Sequence, residues 1–184
     1  MRSKLHFYNI DYGIMEYSKI DISLIQIVEK MVYNKQKKVK ELASFINYGN
    51  EPLIIKTDWL DSWYNDEYKK LTIKVPQGIK LIMEQVDKLV LAKLPEGLKH
   101  SKLIKESNGN LYMNPKYTYC KVFDTQKKER PVTEICNNNT QMRCILGFTK
   151  IFNMRGYYGV KTNLSQCMAK PRELNQVPFA FDDE

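Results

Sequence analysis

The stretch MRCILGFTKIFNMRGYYGVKTNLSQCM, residues 142–168, sets two runs rich in β-branched and aromatic residues on either side of Asn153-Met154-Arg155-Gly156. Two such runs joined by a short connection ending in glycine describe a long β-hairpin. Other short, turn-bounded runs extend the pattern: PLIIKT (52–57), LTIKV (71–75) and KYTYCKVF (116–123). In the last of these, strict alternation puts Tyr117, Tyr119, Lys121 and Phe123 on one face and Lys116, Thr118, Cys120 and Val122 on the other. The segment VKELASFINYGN (39–50) has apolar spacing that suits a helix, but the Tyr48-Gly49-Asn50 turn leading into PLIIKT favours a strand.

One segment breaks the strand pattern. In QGIKLIMEQVDKLVLAKL (77–94), Ile79, Ile82, Met83, Val86, Leu89 and Val90 recur at helical spacing up to Lys93. Pro76 precedes the segment, and Pro95 and Gly97 close it. The expected fold is therefore mainly β: an antiparallel barrel of the oligonucleotide-binding type, with one inserted α-helix at about 77–94 and extra N-terminal strands. Residues 1–176 are expected to form a single domain, followed by a C-terminal tip, 177–184.

With 184 residues, 43% hydrophobic and 11% aromatic, the chain is long enough to bury a core without disulfides or metal. Its formal net charge is +8, unevenly spread: residues 1–98 hold 15 basic and 13 acidic residues, and residues 99–184 hold 14 and 8. A positive field concentrates polyanions, with nucleic acid, an anionic membrane and acidic protein all eligible. Cysteines at 120, 136, 144 and 167 form no CxxC pair, and His6 and His100 stand outside any motif. That spacing argues against a zinc site, a disulfide framework or a histidine-based triad. No cofactor is implied. The run ISLIQIV (22–28) is too short and too closely flanked by charge for a signal peptide or a membrane span, so an intracellular protein is expected. The charge run NKQKKVKE (34–41) suits a solvated loop or strand edge.

Binding a single strand of nucleic acid requires cations along the phosphates and flat side chains on which bases stack. Lys116, Tyr117, Tyr119, Lys121 and Phe123 interleave the two at strand spacing. Lys150, Phe152, Arg155, Tyr157, Tyr158 and Lys161 do so across the hairpin. Since one face of each strand must fill the core, only a subset of these aromatics is available to bases. Two other readings stand beside this one. Asp58, Glu67 and Lys69 form a D-x8-E-x-K spacing of the kind a metal-dependent nuclease uses, although WLDSWYND (59–66) between them suits a loop. A basic structural or virion protein that merely neutralises packaged genome is the third.

PLIIKTDWL (52–60), the helix with its QVDKLV, KYTYCKVF and RCILGFTKIFNMRGYYGVKTNLSQCMAKP (143–171) together resemble the single-stranded DNA-binding proteins of large nucleocytoplasmic DNA viruses and related linear plasmids. The resemblance covers about residues 45–171. It implies an oligonucleotide-binding barrel, no enzymatic activity, and sequence-tolerant cover of DNA in replication and repair, at a viral replication site in host cytoplasm or in the virion. Tyr158, Gly159 and Lys161 take the places of the family's Tyr-Gly-basic signature, and Lys56 and Trp59 lie near its groove. The chain departs from the pattern at Lys56-Thr57-Asp58, where Gln-Thr-Pro is expected, and at Phe152 and Thr162, which are often tryptophan.

The ending VPFAFDDE (177–184) sets Phe179 and Phe181 beside Asp182, Asp183 and Glu184. Acidic, aromatic tips of this kind imply a docking element for replication proteins such as a DNA polymerase, and a phosphate mimic that competes for the basic groove. Homo-oligomers are compatible with this reading, as is binding of RNA in place of DNA.

Overall fold

The computed structural model describes residues 13–117, 120–135 and 140–171. Tyr119 and the tip 177–184 lie outside them. The chain runs β1 (Met15–Glu16), β2 (Ile25–Asn34), β3 (Val39–Tyr48), β4 (Glu51–Lys56), β5 (Leu60–Asn65), β6 (Lys70–Lys74), α1 (Gln77–Leu91), β7 (Lys99–Ser101), β8 (Lys105–Ser107), β9 (Asn110–Met113), β10 (Lys121–Phe123), α2 (Val132–Ile135), β11 (Thr140–Met154) and β12 (Tyr157–Pro171). The fold is mainly β, and α1 is the only helix longer than four residues among the described residues.

The hairpin of β11 and β12 is the spine. Its connection is tighter than four residues: Met154 pairs with Tyr157, leaving Arg155 (φ 54°) and Gly156 (φ 78°) as the two central residues. Positive φ at both positions marks the type I′ turn, whose twist matches that of the strands it joins. Two register shifts interrupt the ladder, between Ile145 and Leu146 and between Phe148 and Ile151. Bulges of this kind bend and twist long strands, which lets one face wrap a core. That face carries Met142, Cys144, Leu146, Phe148 and Ile151 opposite Val160, Leu164, Cys167 and Ala169, each at most 6% exposed.

Along its other edge β11 pairs with β4 and then β5, with Phe148 opposite Leu53 and Met142 opposite Leu60. The chain breaks stride between those strands, yet the ladder does not lapse. Thr57, 2% exposed, donates its amide to the Cys144 carbonyl at 2.9 Å and accepts the Cys144 amide on Oγ1 at 2.9 Å. The hydroxyl thus stands in for a main-chain carbonyl and satisfies a buried donor. β5, β6, β9 and β8 continue the sheet by antiparallel pairing. After β9 the chain leaves β6 for β12: Lys116 donates to the Thr162 carbonyl and accepts from Leu164, and β10 then runs parallel to β12. β7 also runs parallel to β12, at Tyr157–Gly159.

Helix α1 inserts Ile79, Ile82, Met83, Val86 and Val90, none more than 1% exposed, into the same core. It stops at Leu91, short of the expected 94, because the next amides turn back to carbonyls three residues earlier: Lys93 to Val90 and Leu94 to Leu91. At its start Gly78 gives room to Tyr17, whose ring lies 2.7 Å from the point where a Cβ would sit. On its flank His100 Nε2 lies 3.1 Å from Asp87 Oδ1, tying α1 to β7.

The segment 39–50 is a strand, as the Gly49 turn suggests. β3 pairs with β2 in an unbroken antiparallel ladder from Ile25–Tyr48 to Asn34–Val39, capped by the lysine-rich turn. Two further expectations need correction. WLDSWYN is no loop but leads into and forms β5. KYTYCKVF is not one strand: the Cys120 amide donates to the Tyr117 carbonyl at 2.8 Å, a closure that an extended chain cannot make, and among its described residues only Lys121–Phe123 is strand. No helix among the described residues is long and apolar enough to cross a membrane.

Candidate nucleic-acid interface

Residues directly opposite one another in neighbouring strands point to the same side of a sheet. With one side of β11 and β12 given to the core, the register assigns the other side row by row. One row is Phe123–Met168–Arg143. The next is Lys121–Gln166–Ile145–Lys56. A third is Lys116–Asn163–Gly147–Ile54. Toward the end of the hairpin strands, Lys170 stands opposite Gln141 and Gln141 opposite Asp61, with Gln141 Nε2 donating to Asp61 Oδ1 at 3.2 Å. Toward the turn, Lys161 precedes Asn163 on the same side, and its carbonyl accepts the Thr149 hydroxyl at 3.1 Å.

Trp59, Trp63 and Tyr112 add their rings to this side. The Lys170 ammonium lies 5.1 Å from the centroid of the Trp59 ring, within cation–π range. Trp63, two strand steps beyond Asp61, meets Tyr112 edge to face at 5.0 Å and 82°. Tyr112 is opposite Lys74 across the β6–β9 pair. Trp63, Lys74 and Tyr112 line a depression of about 200 Å³ with Asp61, Asn110 and Thr140. From Lys161 to Lys170 the track covers nine residue steps of β12, about 30 Å at roughly 3.3 Å per step.

Charge on this side is mixed but mostly positive. Lys56, Lys116, Arg143 and Lys161 are exposed. Arg143 Nη2 is 3.8 Å from Asp58 Oδ1, and Lys121 Nζ is 3.3 Å from Glu129 Oε2. Surface pairs of this sort contribute little and exchange readily for another anion. Asp58 also accepts the Tyr17 hydroxyl at 3.1 Å. Burial, with Asp58 beside it, raises the Tyr17 phenol above its ordinary range.

The structure sorts the residues singled out in the sequence. Lys56, Trp59, Lys116, Lys121 and Lys161 come together on the outward side. Phe152 and Tyr157 lie on the same side near the turn, Phe152 opposite Gly159 and Tyr157 opposite Met154, with Arg155 at the turn itself. Lys150 stands at the bulge opposite Phe45 and pairs with Glu41 at 3.4 Å. Tyr117 and Tyr158 instead pack against the core. The Tyr117 hydroxyl donates to the Lys69 carbonyl at 2.7 Å, and its ring meets Tyr64 edge to face at 5.8 Å. Burial and the Tyr64 hydroxyl push the Tyr117 phenol up to about 12. Tyr158 lies on the Val160 side of β12 and opposite His100 of β7.

The outward side also holds Trp63, and with it Lys74, Tyr112, Arg143 and Lys170, which the sequence reading passed over. A legible signal existed for the indoles: in WLDSWYN, residues 59, 61 and 63 alternate as a strand face does. The nuclease spacing does not converge. Asp58 precedes β5 while Glu67 and Lys69 follow it, about 20 Å of strand apart, and Lys69 is bound to Asp66 at 2.6 Å. Among the described residues no group of three or more His, Cys, Asp or Glu is placed to hold a metal ion.

No protein-family profile matches the chain, and no curated protein does. Among solved structures, the single-stranded DNA-binding protein from bacteriophage Enc34 superposes with a TM-score of 0.47 at 14% identity, covering 86% of this chain and 96% of that one. Its C-terminal truncation gives 0.45 at 15% identity, over 86% and 96%. The same phage protein in complex with ssDNA gives 0.45 at 16% identity, over 85% and 98%.

Proposed function

We propose that the outward side of β4–β5, β11 and β12 binds single-stranded DNA without sequence specificity. The observation that carries this reading is the convergence of Lys56, Lys116, Lys121, Arg143, Lys161 and Lys170 with the faces of Trp59, Trp63 and Tyr112 on one side of adjoining strands. Cations spaced along a strand match a phosphate chain, and unstacked bases find ring faces beside it, each stack worth about 1–3 kcal/mol. Phe152, Tyr157 and Arg155 extend the track past the hairpin turn. The passage of residues 110–116 from β6 to β12 supports reading the sheet as an oligonucleotide-binding barrel in which this side is the groove. On the same reading the chain serves DNA replication or repair inside a cell. Its tip, Phe179, Phe181, Asp182, Asp183 and Glu184, competes for the groove until DNA displaces it, and is then free to dock a polymerase.

One titration tests this: oligo-dT, oligo-U and duplex of equal length at two salt concentrations, followed by tryptophan fluorescence. Oligo-dT is expected to bind well above duplex and to quench the indoles. With six phosphates neutralised, the log–log salt slope should be near −4, at about 0.7 per contact. Equal affinity for duplex would favour a packaging protein, and magnesium-dependent loss of the labelled strand a nuclease. The same titration on a chain lacking residues 177–184 is expected to show tighter binding at low salt that converges with the full chain at high salt. Identical curves would remove the tip from the groove.

A further inference from the structure

Three cysteines lie side by side across the core face of the sheet. Cys167 of β12 is directly opposite Cys144 of β11 on one side and Val122 of β10 on the other. Cys120, two residues before Val122, brings its sulfur to 2.9 Å from that of Cys167. That separation is shorter than the roughly 3.5–4.0 Å at which non-bonded carbon atoms rest against one another. It is within about 1 Å of the length of a disulfide bond. Cys167 is 1% exposed, whereas Cys120 is half-buried and lines a cavity of about 410 Å³ beside Glu129, Arg130 and Val132. One thiol of the pair thus faces a route for a small oxidant, and the other waits behind it.

We propose that Cys120 and Cys167 form a reversible disulfide when the protein meets a peroxide, pinning the chain between Lys116 and Lys121 to β12. Hydrogen peroxide transfers one oxygen to the Cys120 sulfur, its O–O bond breaking as the S–O bond forms, and the first water leaves. Cys167 Sγ then attacks the sulfenic sulfur. The S–O bond breaks, and the departing hydroxide takes the Cys167 proton to leave as a second water. Two thiols lose two protons and two electrons, and peroxide accepts both. The hydrogen bond with Cys167 and, secondarily, burial raise the Cys120 thiol well above the ordinary thiol range, so the protonated form prevails at neutral pH. Reaction is therefore slow, and the pair works as a lasting staple in place of a fast sensor.

The crosslink closes a loop between residues 47 apart in sequence, which restrains the unfolded chain strongly. Lys116 and Lys121, flanking Cys120, belong to the outward side, so the staple also fixes two cations of the proposed groove. This second consequence rests on the single-strand reading; the crosslink itself does not.

The test treats the full chain with hydrogen peroxide and measures intact mass, peptide linkage without reductant, and thermal unfolding. Expected are a loss of 2 Da, on the order of the two hydrogens that disulfide formation removes, and a single linked peptide pair holding residues 120 and 167. The melting midpoint should rise by on the order of 5–15 °C and return with dithiothreitol. Cys120→Ala and Cys167→Ala should abolish all three changes, and Cys144→Ala should keep them. An unchanged mass, or a link through Cys136 or Cys144, overturns the proposal. Oligo-dT affinity of the oxidised chain is expected to rise about threefold, the scale of sparing one flexible side chain its ordering cost. If the link forms and the midpoint rises while affinity stays fixed, the staple stands and its coupling to DNA falls.

Discussion

A Cβ placed on Gly159 meets the Cβ and carbonyl oxygen of Ser101, both at 2.8 Å, and the edge of the Phe152 ring at 3.3 Å. The glycine of the Tyr-Gly-basic run is thus required by close approach: β7 lies against β12 there, and Phe152 folds over the gap. Gly147, on the outward side of β11, has nothing nearer than 3.7 Å. Alanine at 159 is expected to displace β7 or the ring, costing about 1–3 kcal/mol, as overpacking does. Alanine at 147 should change stability by less than about 0.5 kcal/mol. Urea midpoints of the two variants against the parent check this, and equal midpoints would refute the packing argument. The same scale decides which tyrosines face outward. Tyr157 and Tyr158 are neighbours in sequence, but alternation sends the first outward and the second toward His100 and the core.

At the scale of elements, the β11–β12 turn holds a conflict between stability and charge. Arg155 occupies a left-handed conformation, φ 54°, which costs an ordinary side chain about 1–2 kcal/mol and asparagine less. Arg155→Asn should therefore raise the urea midpoint, by an amount equivalent to roughly 0.5–1 kcal/mol. It should also reduce the salt slope of oligo-dT binding by about 0.7 if the guanidinium touches a phosphate. A lower midpoint would show that Arg155 is held by interactions that outweigh its backbone strain. This hairpin, α1 and the β3 strand were legible because period, turn residues and caps agree locally. The failures have a common cause. KYTYCKVF alternates as well as any strand, and both Lys116 and Lys121–Phe123 lie along β12, but the Cys120 amide closes onto the Tyr117 carbonyl between them. A pattern within one segment carries no sign of such a closure. WLDSWYN was obscured by its acid, although Asp61 is held by Gln141 and the indoles alternate outward. Arg143 and Lys170 became visible only once the bulges had set the register.

Over the whole molecule the question is whether polyanion binding follows net charge or the placement of charge. The chain at +8 attracts polyanions from any direction, and the lysine-rich turn between β2 and β3 adds to that field. Only cations that neutralise phosphates in the complex release counterions, however, so the salt slope reports placement and not the total. Two double variants separate these effects, because each removes two positive charges. Lys56→Gln with Arg143→Gln strips neighbouring rows of the outward side; Lys35→Gln with Lys38→Gln strips the hairpin turn. The first pair should lower the magnitude of the oligo-dT salt slope by about 1.4, on the basis of about 0.7 per phosphate contact, and weaken binding most at low salt. The second should leave the slope unchanged and reduce affinity only slightly, through the weaker long-range field. Equal slopes for the two variants would mean that the molecule binds as a diffuse cation and that the outward side holds no preferred track. A larger loss from the turn pair would move the binding track to the β2–β3 hairpin, where Lys35 and Lys38 stand clear of the sheet.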